Sequence, residues 1–317
     1  MLPRTPLICA PTPCHLLPRL SEQLGVELWI KRDDLTGFAG GGNKGRKLEF
    51  LLPKILAEGA DTVVTSGASQ SNFVRHLAVA ARMVGLEFHA VTMPMPFEPG
   101  RQEPGVVAHL GGNRVLTELV GAHLHELPDG TWDELDDAAL HLAEKLRADG
   151  RRVAVVPLGG SSVEGAYAFY LAAQELAAEF DHIVCPTSSG STHAGLATAF
   201  AGRATEVWGM AADPEPELAD VVLDLAGQLA AMLDTATPHS VNLSTDFVGA
   251  GYGFPSPAGT HATVLLARTE GIFLDPTYGA KAFAGLLDMI EAKTLRGRIC
   301  YWHTGGFPAL FTHGSGT

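Results

Sequence analysis

The sequence has few cysteines, no recognisable metal motif and no long apolar run. Four of its 317 residues are cysteine and none forms a CxxC pair, so we expect reduced thiols in a cytoplasmic protein. Its thirteen histidines include no HExxH motif, and no metal site is predicted. The apolar runs are too short for a membrane span, and prolines interrupt the N-terminal segment where a signal peptide needs a continuous apolar stretch.

Blocks of basic residues are also missing. The formal net charge is −13 and the Lys and Arg residues are dispersed, so nucleic acid is not expected as a partner. Hydrophobic residues make up 46% of the chain, which is enough for a large core. The length favours two lobes.

Strand and helix patterns alternate along the chain. This alternation predicts an α/β fold with open, mostly parallel sheets flanked by helices and with ligand groups at the C-terminal ends of strands. Loops are predicted at 94–105 and 210–220, which are rich in Pro, Gly or acidic residues. The patterns are TVVTSG (62–67), SNFVRHLAVAARMVG (71–85), EFHAVTM (87–93), RVAVVPLGG (152–160), AYAFYLAAQELAAEF (166–180), HIVCPTSSGSTHAGLATAFAG (182–202), EVWGMAA (206–212) and GRICYWHTGG (297–306).

The segment FAGGGNKGRKLEF (38–50) has three consecutive glycines before an expected helix. A helix that begins near Asn43 places Lys44 and Lys47 on one face of its first turn. Cations at that position oppose the helix dipole unless an anion lies nearby. The glycines allow a tight turn and a close approach to a ligand. An ordinary glycine-rich loop before an exposed helix with solvated lysines explains the same spacing.

A second junction, SGASQSNFVRH, joins a strand to a helix through small polar residues. Backbone N–H groups at such a helix start bind anions, and Ser71 or Asn72 is a good N-cap. Simple capping accounts for the pattern equally well.

A third junction, PTSSGSTHAGLATAF, has the form of a phosphate cradle at a helix N-terminus. It matches neither GxxxxGK[ST] nor GxGxxG, so a nucleotide site is weakly supported. A serine-rich turn remains the alternative. Taken together, the three junctions supply a lysine, a phosphate loop and a carboxylate-sized nest, which is what pyridoxal 5′-phosphate with an amino-acid substrate needs.

The chain resembles the D-cysteine desulfhydrase / 1-aminocyclopropane-1-carboxylate deaminase family of pyridoxal-phosphate enzymes, in the tryptophan synthase β class. The resemblance covers nearly the whole chain and rests on KRDDLTGFAGGGNKGRKLEFLL, SGASQSN, SSGSTHAGL, GYGFP, LARTEGIFLDPTYGAKAFAGL and HTGGFPALF. It implies a two-domain fold type II enzyme that forms a homodimer. The implied domains are a large cofactor-binding domain (1–57 and 158–317) and a small domain (58–157).

The resemblance also implies roles for individual residues. Lys44 is the expected Schiff-base lysine, and Lys47 is a cation beside the phosphate. Ser71 lies beside the substrate carboxylate as a candidate proton carrier, and Asn72 binds the pyridoxal 3-oxygen. The remaining matches are the phosphate loop Ser189, Gly190, Ser191 and Thr192, the active-site tyrosines Tyr252 and Tyr278, and Thr304 facing the ring nitrogen.

Four departures from the family pattern bear on the substrate. Deaminases of the cyclopropane substrate resemble DPVYEGK, where this chain has Gly279 in place of the glutamate. They have leucine where this chain has Thr304. Both differences favour the desulfhydrase side of the family. Phe73 replaces a usual polar residue, and Ser256–Pro257 replace Asn–Glu, at positions that could line the side-chain pocket.

The expected reaction is β-elimination on a small amino acid, with D-cysteine giving pyruvate, sulfide and ammonia. A neutral hydroxyl such as Thr304 at the ring nitrogen would favour loss of a β-leaving group. The alternatives are a cysteate sulfo-lyase, which needs a cationic pocket from Arg75, His76 or Arg101, and the cyclopropane deaminase. A catalytically inert cofactor-holding protein and a nucleotide-binding enzyme are alternatives of other classes. The sequence does not fix the enantiomer.

Overall fold

The computed structural model describes residues 1–94 and 111–312, and its chain divides into two compact units. Among the described residues, the first unit contains 1–7, 44–94, 111–161 and 308–312, and the second contains 8–43 and 162–307. These units are defined by contacts between residues and do not test the domain boundaries expected from the sequence, which stay a prediction.

The first unit is built on a parallel four-stranded sheet in the order β5-β4-β3-β6. Every residue of β3 is buried, as expected for a strand covered on both faces. Val64, Val91 and Met93 pack against α5, whose start carries a capping box of Thr131 and Glu134. The strands are β3 (Thr62–Ala68), β4 (Glu87–Met93), β5 (His123–Glu126) and β6 (Val153–Val156), and the helices are α2 (Lys44–Ala57), α3 (Asn72–Met83), α4 (Gly112–Leu119) and α5 (Trp132–Ala148).

The second unit is built on a six-stranded sheet in the order β1-β2-β10-β7-β8-β9. Only the edge strand β1 runs antiparallel to its neighbour, so the four central strands end at one edge of the sheet. The strands are β1 (Cys14–Leu16), β2 (Glu27–Arg32), β7 (His182–Thr187), β8 (Glu206–Ala211), β9 (Asn242–Ser244) and β10 (Arg298–His303), and the helices are α1 (Pro18–Leu24), α6 (Val163–Ala173), α7 (Ser191–Ala199), α8 (Leu218–Leu233), α9 (Pro257–Glu270) and α10 (Gly279–Glu291).

The predicted fold class is confirmed: both sheets are mostly parallel and flanked by helices. Two local predictions are wrong. The helix expected over 166–180 ends at Ala173, and the loop expected over 210–220 contains the last residues of β8 and the start of α8. The loop predicted over 94–105 lies, apart from Pro94, outside the described residues. Among the helices of 1–94 and 111–312, none is both long and apolar enough to cross a membrane.

The glycine run before α2 adopts the tight turn that the sequence predicts. Gly40, Gly41 and Gly42 have φ values of 83°, 84° and 120°, which residues with a side chain rarely adopt. A Cβ on Gly41 would lie 2.1 Å from the carbonyl oxygen of Asp34, and a Cβ on Gly305 would lie 2.5 Å from Gly42 Cα. Two backbone segments therefore meet here at a distance that only glycine permits.

We expect Gly305→Ala to lower the free energy of unfolding by about 3 kcal/mol or more, because its Cβ would meet backbone that cannot move aside and its φ is +90°. Gly202→Ala is the matched control. It has a φ of +72° with open space around it, and should cost about 1 kcal/mol. Urea or thermal unfolding of both variants measures the difference. Equal losses would contradict close packing at Gly305.

Candidate functional site

Lys44 is the first residue of α2 and Lys47 lies one helical turn later. Lys47 is fully buried and its Nζ donates to the carbonyl oxygen of Gly159 at 2.9 Å. Burial is the main reason that the pKa of Lys47 falls well below its usual value, and the neighbouring Lys44 side chain lowers it further. The two amines therefore lie close enough to influence each other, as the i and i+3 spacing predicts.

The segment after β3 contains two of the predicted polar residues, Ser71 and Asn72, which have different hydrogen-bond partners. Ser71 is the N-cap of α3, and its hydroxyl accepts from the Val74 N–H at 3.3 Å. Capping therefore accounts for one lone pair of Ser71 Oγ, and the hydroxyl proton stays available as a donor. Gly67 packs closely against Ser71, since a Cβ on Gly67 would lie 3.2 Å from Ser71 Cβ.

Asn72 is held by a buried polar network. Its Oδ1 accepts from Arg75 Nη1 at 3.1 Å and from Asn113 Nδ2 at 3.0 Å. Arg75 also donates to Asn113 Oδ1, and Asn113 binds both the backbone and the side chain of Gln70. Because its oxygen is fully used, the Asn72 side chain has its Nδ2 donors left to offer a ligand. The network also keeps the amide in one orientation.

The loop after β7 leads into α7 through Gly190, whose φ is 87°. The first-turn N–H groups of a helix have no intrahelical partner and attract anions. Ser191 Oγ is buried and has no hydrogen-bond partner among the described residues. Ser189, Gly190, Ser191 and Thr192 thus form a neutral cradle of amide and hydroxyl donors whose unused polar atom suits a phosphate.

Asn43 connects this cradle to the end of β10. Its Nδ2 donates to Thr192 Oγ1 at 3.2 Å, and its backbone N–H donates to the carbonyl oxygen of Thr304 at 2.9 Å. Asn43 is 4% exposed and directly precedes Lys44 in the chain. Both bonds therefore fix the backbone that leads into α2. The Thr304 side chain is partly exposed at the carboxyl end of β10.

Tyr252 and Tyr278 lie together, with their hydroxyl groups hydrogen-bonded to each other. Burial is the main cause that raises the pKa of both phenols, so both stay protonated at neutral pH. The buried carboxylate of Asp275 accepts the N–H groups of Thr277, Tyr278 and Gly279 at 2.8–3.0 Å. Asp275 thereby caps the start of α10 and positions Tyr278.

Asp213 and Lys281 complete the surroundings of Tyr252. Lys281 is buried and its Nζ donates to the carbonyl oxygens of Ala212 at 3.1 Å and Gly251 at 2.8 Å. Asp213 Oδ2 accepts from Ser188 Oγ at 3.1 Å. Burial raises the pKa of Asp213 to about 6, and its charge helps to raise that of Tyr252.

Two histidines beside glycine turns, His193 and His303, have structural surroundings. His303 Nε2 lies 2.9 Å from the Phe273 carbonyl oxygen, and its Nδ1 accepts from the Gly305 N–H at 3.2 Å. His193 is fully buried against Gly209, and burial lowers its pKa to about 4. Both rings stay neutral at pH 7.

Three of the departures from the family pattern have local structural explanations. Phe73 packs on Gly160 in the first unit, and Ser256 caps α9 by accepting from the Gly259 N–H at 3.0 Å. A Cβ on Gly279 would lie 2.9 Å from Asp275 Oδ1, so a glutamate there requires Asp275 to move. Phe73 and Ser256 therefore serve packing and capping.

The predicted residues fall into two sets. Lys44, Lys47, Ser71 and Asn72 belong to the first unit, and Ser189–Thr192, Tyr252, Tyr278 and Thr304 belong to the second. Sequence reasoning did not predict the residues that hold them, and it considered Arg75 only as a possible sulfonate ligand. These residues are Asn43, Arg75, Asn113, Asp213, Asp275 and Lys281. Only Asn43 carried a signal, since it directly precedes the candidate lysine.

Asp213→Asn should stabilise the protein in a pH-dependent way. The pKa of about 6 in the fold, against 3.8 as the usual value, means that the ionised carboxylate costs about 3 kcal/mol above pH 6. This cost disappears as the pH falls below 3.8, so the variant should exceed the wild type in stability by about 3 kcal/mol at pH 7.5 and by about half of that at pH 5.

Thermal unfolding at several pH values measures this difference, and Asp288→Asn, at an exposed position of α10, is the control. A stability gap that does not change with pH would contradict a buried, titrating Asp213.

Comparison with known proteins shows the family to which this chain belongs. Residues 6–305 match the model of the family described as pyridoxal-phosphate dependent enzyme. D-cysteine desulfhydrases of Salmonella newport (strain SL254) and Salmonella heidelberg (strain SL476) are each 42% identical, over 98% of this chain and 96% of theirs.

Solved structures agree. An ACC deaminase homologue superimposes with a TM-score of 0.89 at 33% identity, over 98% of this chain and 94% of that chain. Threonine deaminase isoform 2 from Solanum lycopersicum, with a TM-score of 0.64 at 19% identity over 94% and 80% of the two chains, shares the fold. The chain belongs to the family of pyridoxal-phosphate-dependent enzymes.

Proposed function

We propose that the protein is a pyridoxal-phosphate-dependent carbon–sulfur lyase that converts D-cysteine and water to pyruvate, ammonia and hydrogen sulfide. The observation that carries the proposal is the bond from Asn43 to Thr192. It ties the residue before the candidate lysine to the loop whose Ser191 hydroxyl has no partner among the described residues. The identity to D-cysteine desulfhydrases supports the substrate.

The residues present fit pyridoxal phosphate. The cradle of Ser189–Thr192 would hold the phosphate through helix-start amides and the Ser191 hydroxyl. Asn72 Nδ2 would donate to the 3-oxygen of the ring, and Thr304 would face the ring nitrogen. Lys47, proposed as a cation beside the phosphate, would need the phosphate charge to offset the burial that lowers its pKa. When bound, the cofactor supplies an electron sink that weakens the Cα–H bond of an amino acid.

The reaction needs one base and one place for the leaving group. In this proposal Lys44 Nζ would hold the cofactor at rest, and its freed amine would take the Cα proton of the substrate. Loss of that proton would allow a Cα–Cβ double bond to form as the Cβ–S bond breaks and hydrosulfide leaves. Lys44 would give up the proton when it rejoins the cofactor, and water would convert the released enamine to pyruvate and ammonia. Ser71, with its hydroxyl proton available, would bind the substrate carboxylate or relay a proton.

The two alternative reactions, those of the cyclopropane deaminase and of the cysteate sulfo-lyase, are less well supported. A glutamate at position 279, as in the cyclopropane deaminases, would crowd Asp275. The sulfonate of cysteate needs an accessible cation, but Arg75 and His76 are fully buried, and Arg75 binds Asn72 and Asn113. Arg101 lies outside the described residues. The resemblance to the family also supports a cytoplasmic homodimer that takes a small amino acid.

Lys44→Ala should remove the absorbance band at roughly 410–430 nm that such Schiff bases give. It should also lower sulfide release from D-cysteine by at least about 10³-fold, because it removes both the covalent link and the base. Lys54→Ala is the matched control, since Lys54 is an exposed lysine on the same helix. A Lys44→Ala variant that kept the band and the turnover would refute the role of Lys44.

A substrate panel separates the alternatives. D-cysteine, L-cysteine, both cysteate enantiomers and the cyclopropane amino acid are each incubated with the protein. Pyruvate with sulfide is expected from D-cysteine; pyruvate with sulfite would favour the sulfo-lyase, and 2-oxobutyrate the deaminase. A band that shifts with amino acid but gives no product would favour the inert binding protein.

Asn72→Asp should weaken cofactor binding by about 10- to 100-fold without unfolding the protein. The aspartate keeps the acceptor for Arg75 and Asn113 but loses the donor proposed for the ring oxygen. Cofactor titration followed by absorbance gives the dissociation constant. Asn242→Asp, in the edge strand β9, controls for the added charge. Unchanged affinity would exclude Asn72 as a cofactor ligand.

A further inference from the structure

Three imidazole side chains and a carboxylate share one face of the first unit's sheet. Glu87 and His89 lie two residues apart on β4, and His123 and His125 lie two residues apart on β5. Residues two apart on a strand point to the same face, and His89 is the register partner of His123. The two short motifs E-x-H and H-x-H are therefore brought together by strand pairing, although 34 residues separate His89 from His123 in the sequence.

The nearest donor atoms lie at distances suited to a metal. His89 Nε2 is 2.9 Å and His123 Nε2 is 4.0 Å from Glu87 Oε1, and the candidate atoms of all three residues lie within 4.8 Å of one another. A tetrahedral zinc site with bonds of about 2.0–2.2 Å has ligand atoms about 3.3–3.6 Å apart. The observed distances lie on both sides of that range. The His123 ring stacks on that of His89 with centroids 4.7 Å apart, and its 59% exposed side chain would turn toward the ion on binding.

The side chains that contact His89 and Glu87 are placed like the residues that orient metal ligands in proteins. His89 Nδ1 lies 3.0 Å from His125 Nε2, which would orient the ring and direct Nε2 toward the metal. Arg151 pairs with Glu87 Oε2, the oxygen that is not used toward the histidines. Glu87 and His123 also line a surface cleft with Arg82 and Gly121, which gives an ion a path from solvent.

We propose that Glu87, His89 and His123 bind one divalent cation of the zinc class, with His125 as the partner that orients His89. Two imidazole nitrogens and one carboxylate oxygen form a ligand set that zinc accepts, and the exposed side leaves the fourth position to water. The ion would join the edge strand β5 to β4. It stands apart from the residues assigned to the cofactor, so its role is to stabilise the sheet edge.

The test uses the holoenzyme, stripped of metal with a chelator and titrated with Zn²⁺ alone. One zinc per chain is expected by calorimetry and by elemental analysis. His123→Gln should raise the dissociation constant for zinc by at least about 100-fold, and His125→Gln should raise it by about 10-fold. His261→Gln, an exposed histidine on α9, is the matched control and should bind zinc as the wild type does.

Two further readouts do not depend on activity. Zinc should raise the thermal midpoint of the wild type but not of His123→Gln, because a ligand that binds only the folded state stabilises it. Co²⁺ in the same place should give the visible absorption of a tetrahedral site. Equal zinc affinity of wild type and His123→Gln, or less than one zinc per chain at saturation, would overturn the proposal.

Discussion

The two hydrogen bonds of Asn43 are the constraint that joins the carboxyl end of β10 to the start of α7 in the second unit. One bond reaches the side chain of Thr192 at the start of α7, and the other reaches the carbonyl oxygen of Thr304 after β10. The preceding Gly42 is fixed as firmly, since its N–H donates to the Asp33 carbonyl oxygen at 3.0 Å and its own carbonyl accepts from Thr36. Hydrogen bonds of small residues and of the Asn43 amide therefore fix the backbone of this turn.

Buried charged residues of the same unit support the glycine turn through hydrogen bonds. Lys31 Nζ is fully buried and donates to Glu175 and to the Thr12 carbonyl oxygen, each at 2.6 Å. Asp33 accepts from Thr12 Oγ1 and from Trp302 Nε1 at 2.8 Å. Every one of these charges has its partners, and removing one partner would leave an uncompensated charge in the core, which is costly. The KRDD stretch of the sequence thus serves as a support for the glycine turn that follows it.

The sequence was sufficient for the parts of the molecule that local chemistry decides. The start of α2 at Lys44, the capping by Ser71 and the positive φ of the glycine run follow from residue type and short-range spacing. Helix ends were less predictable: α6 stops at Ala173 although its helical pattern continues toward Phe180.

Interactions between residues distant in the sequence could not be predicted at all. Arg75 reaches Asn113 across 38 residues, and Lys281 reaches Ala212 across 69. Neither pair forms a motif, because the strand order that brings them together is a property of the whole sheet. The same reason hides the histidines of β4 and β5: only their register, and not their spacing along the chain, reveals that they share a face.

The electrostatics of the tyrosine pair restrict which group moves protons. Burial raises the pKa of Tyr252 and Tyr278, and the charges of Asp213 and Asp275 raise it further. A phenol in such surroundings donates a hydrogen bond well but gives up its proton poorly. At neutral pH both phenols therefore stay protonated, and the pair offers hydroxyl groups for hydrogen bonding and no base.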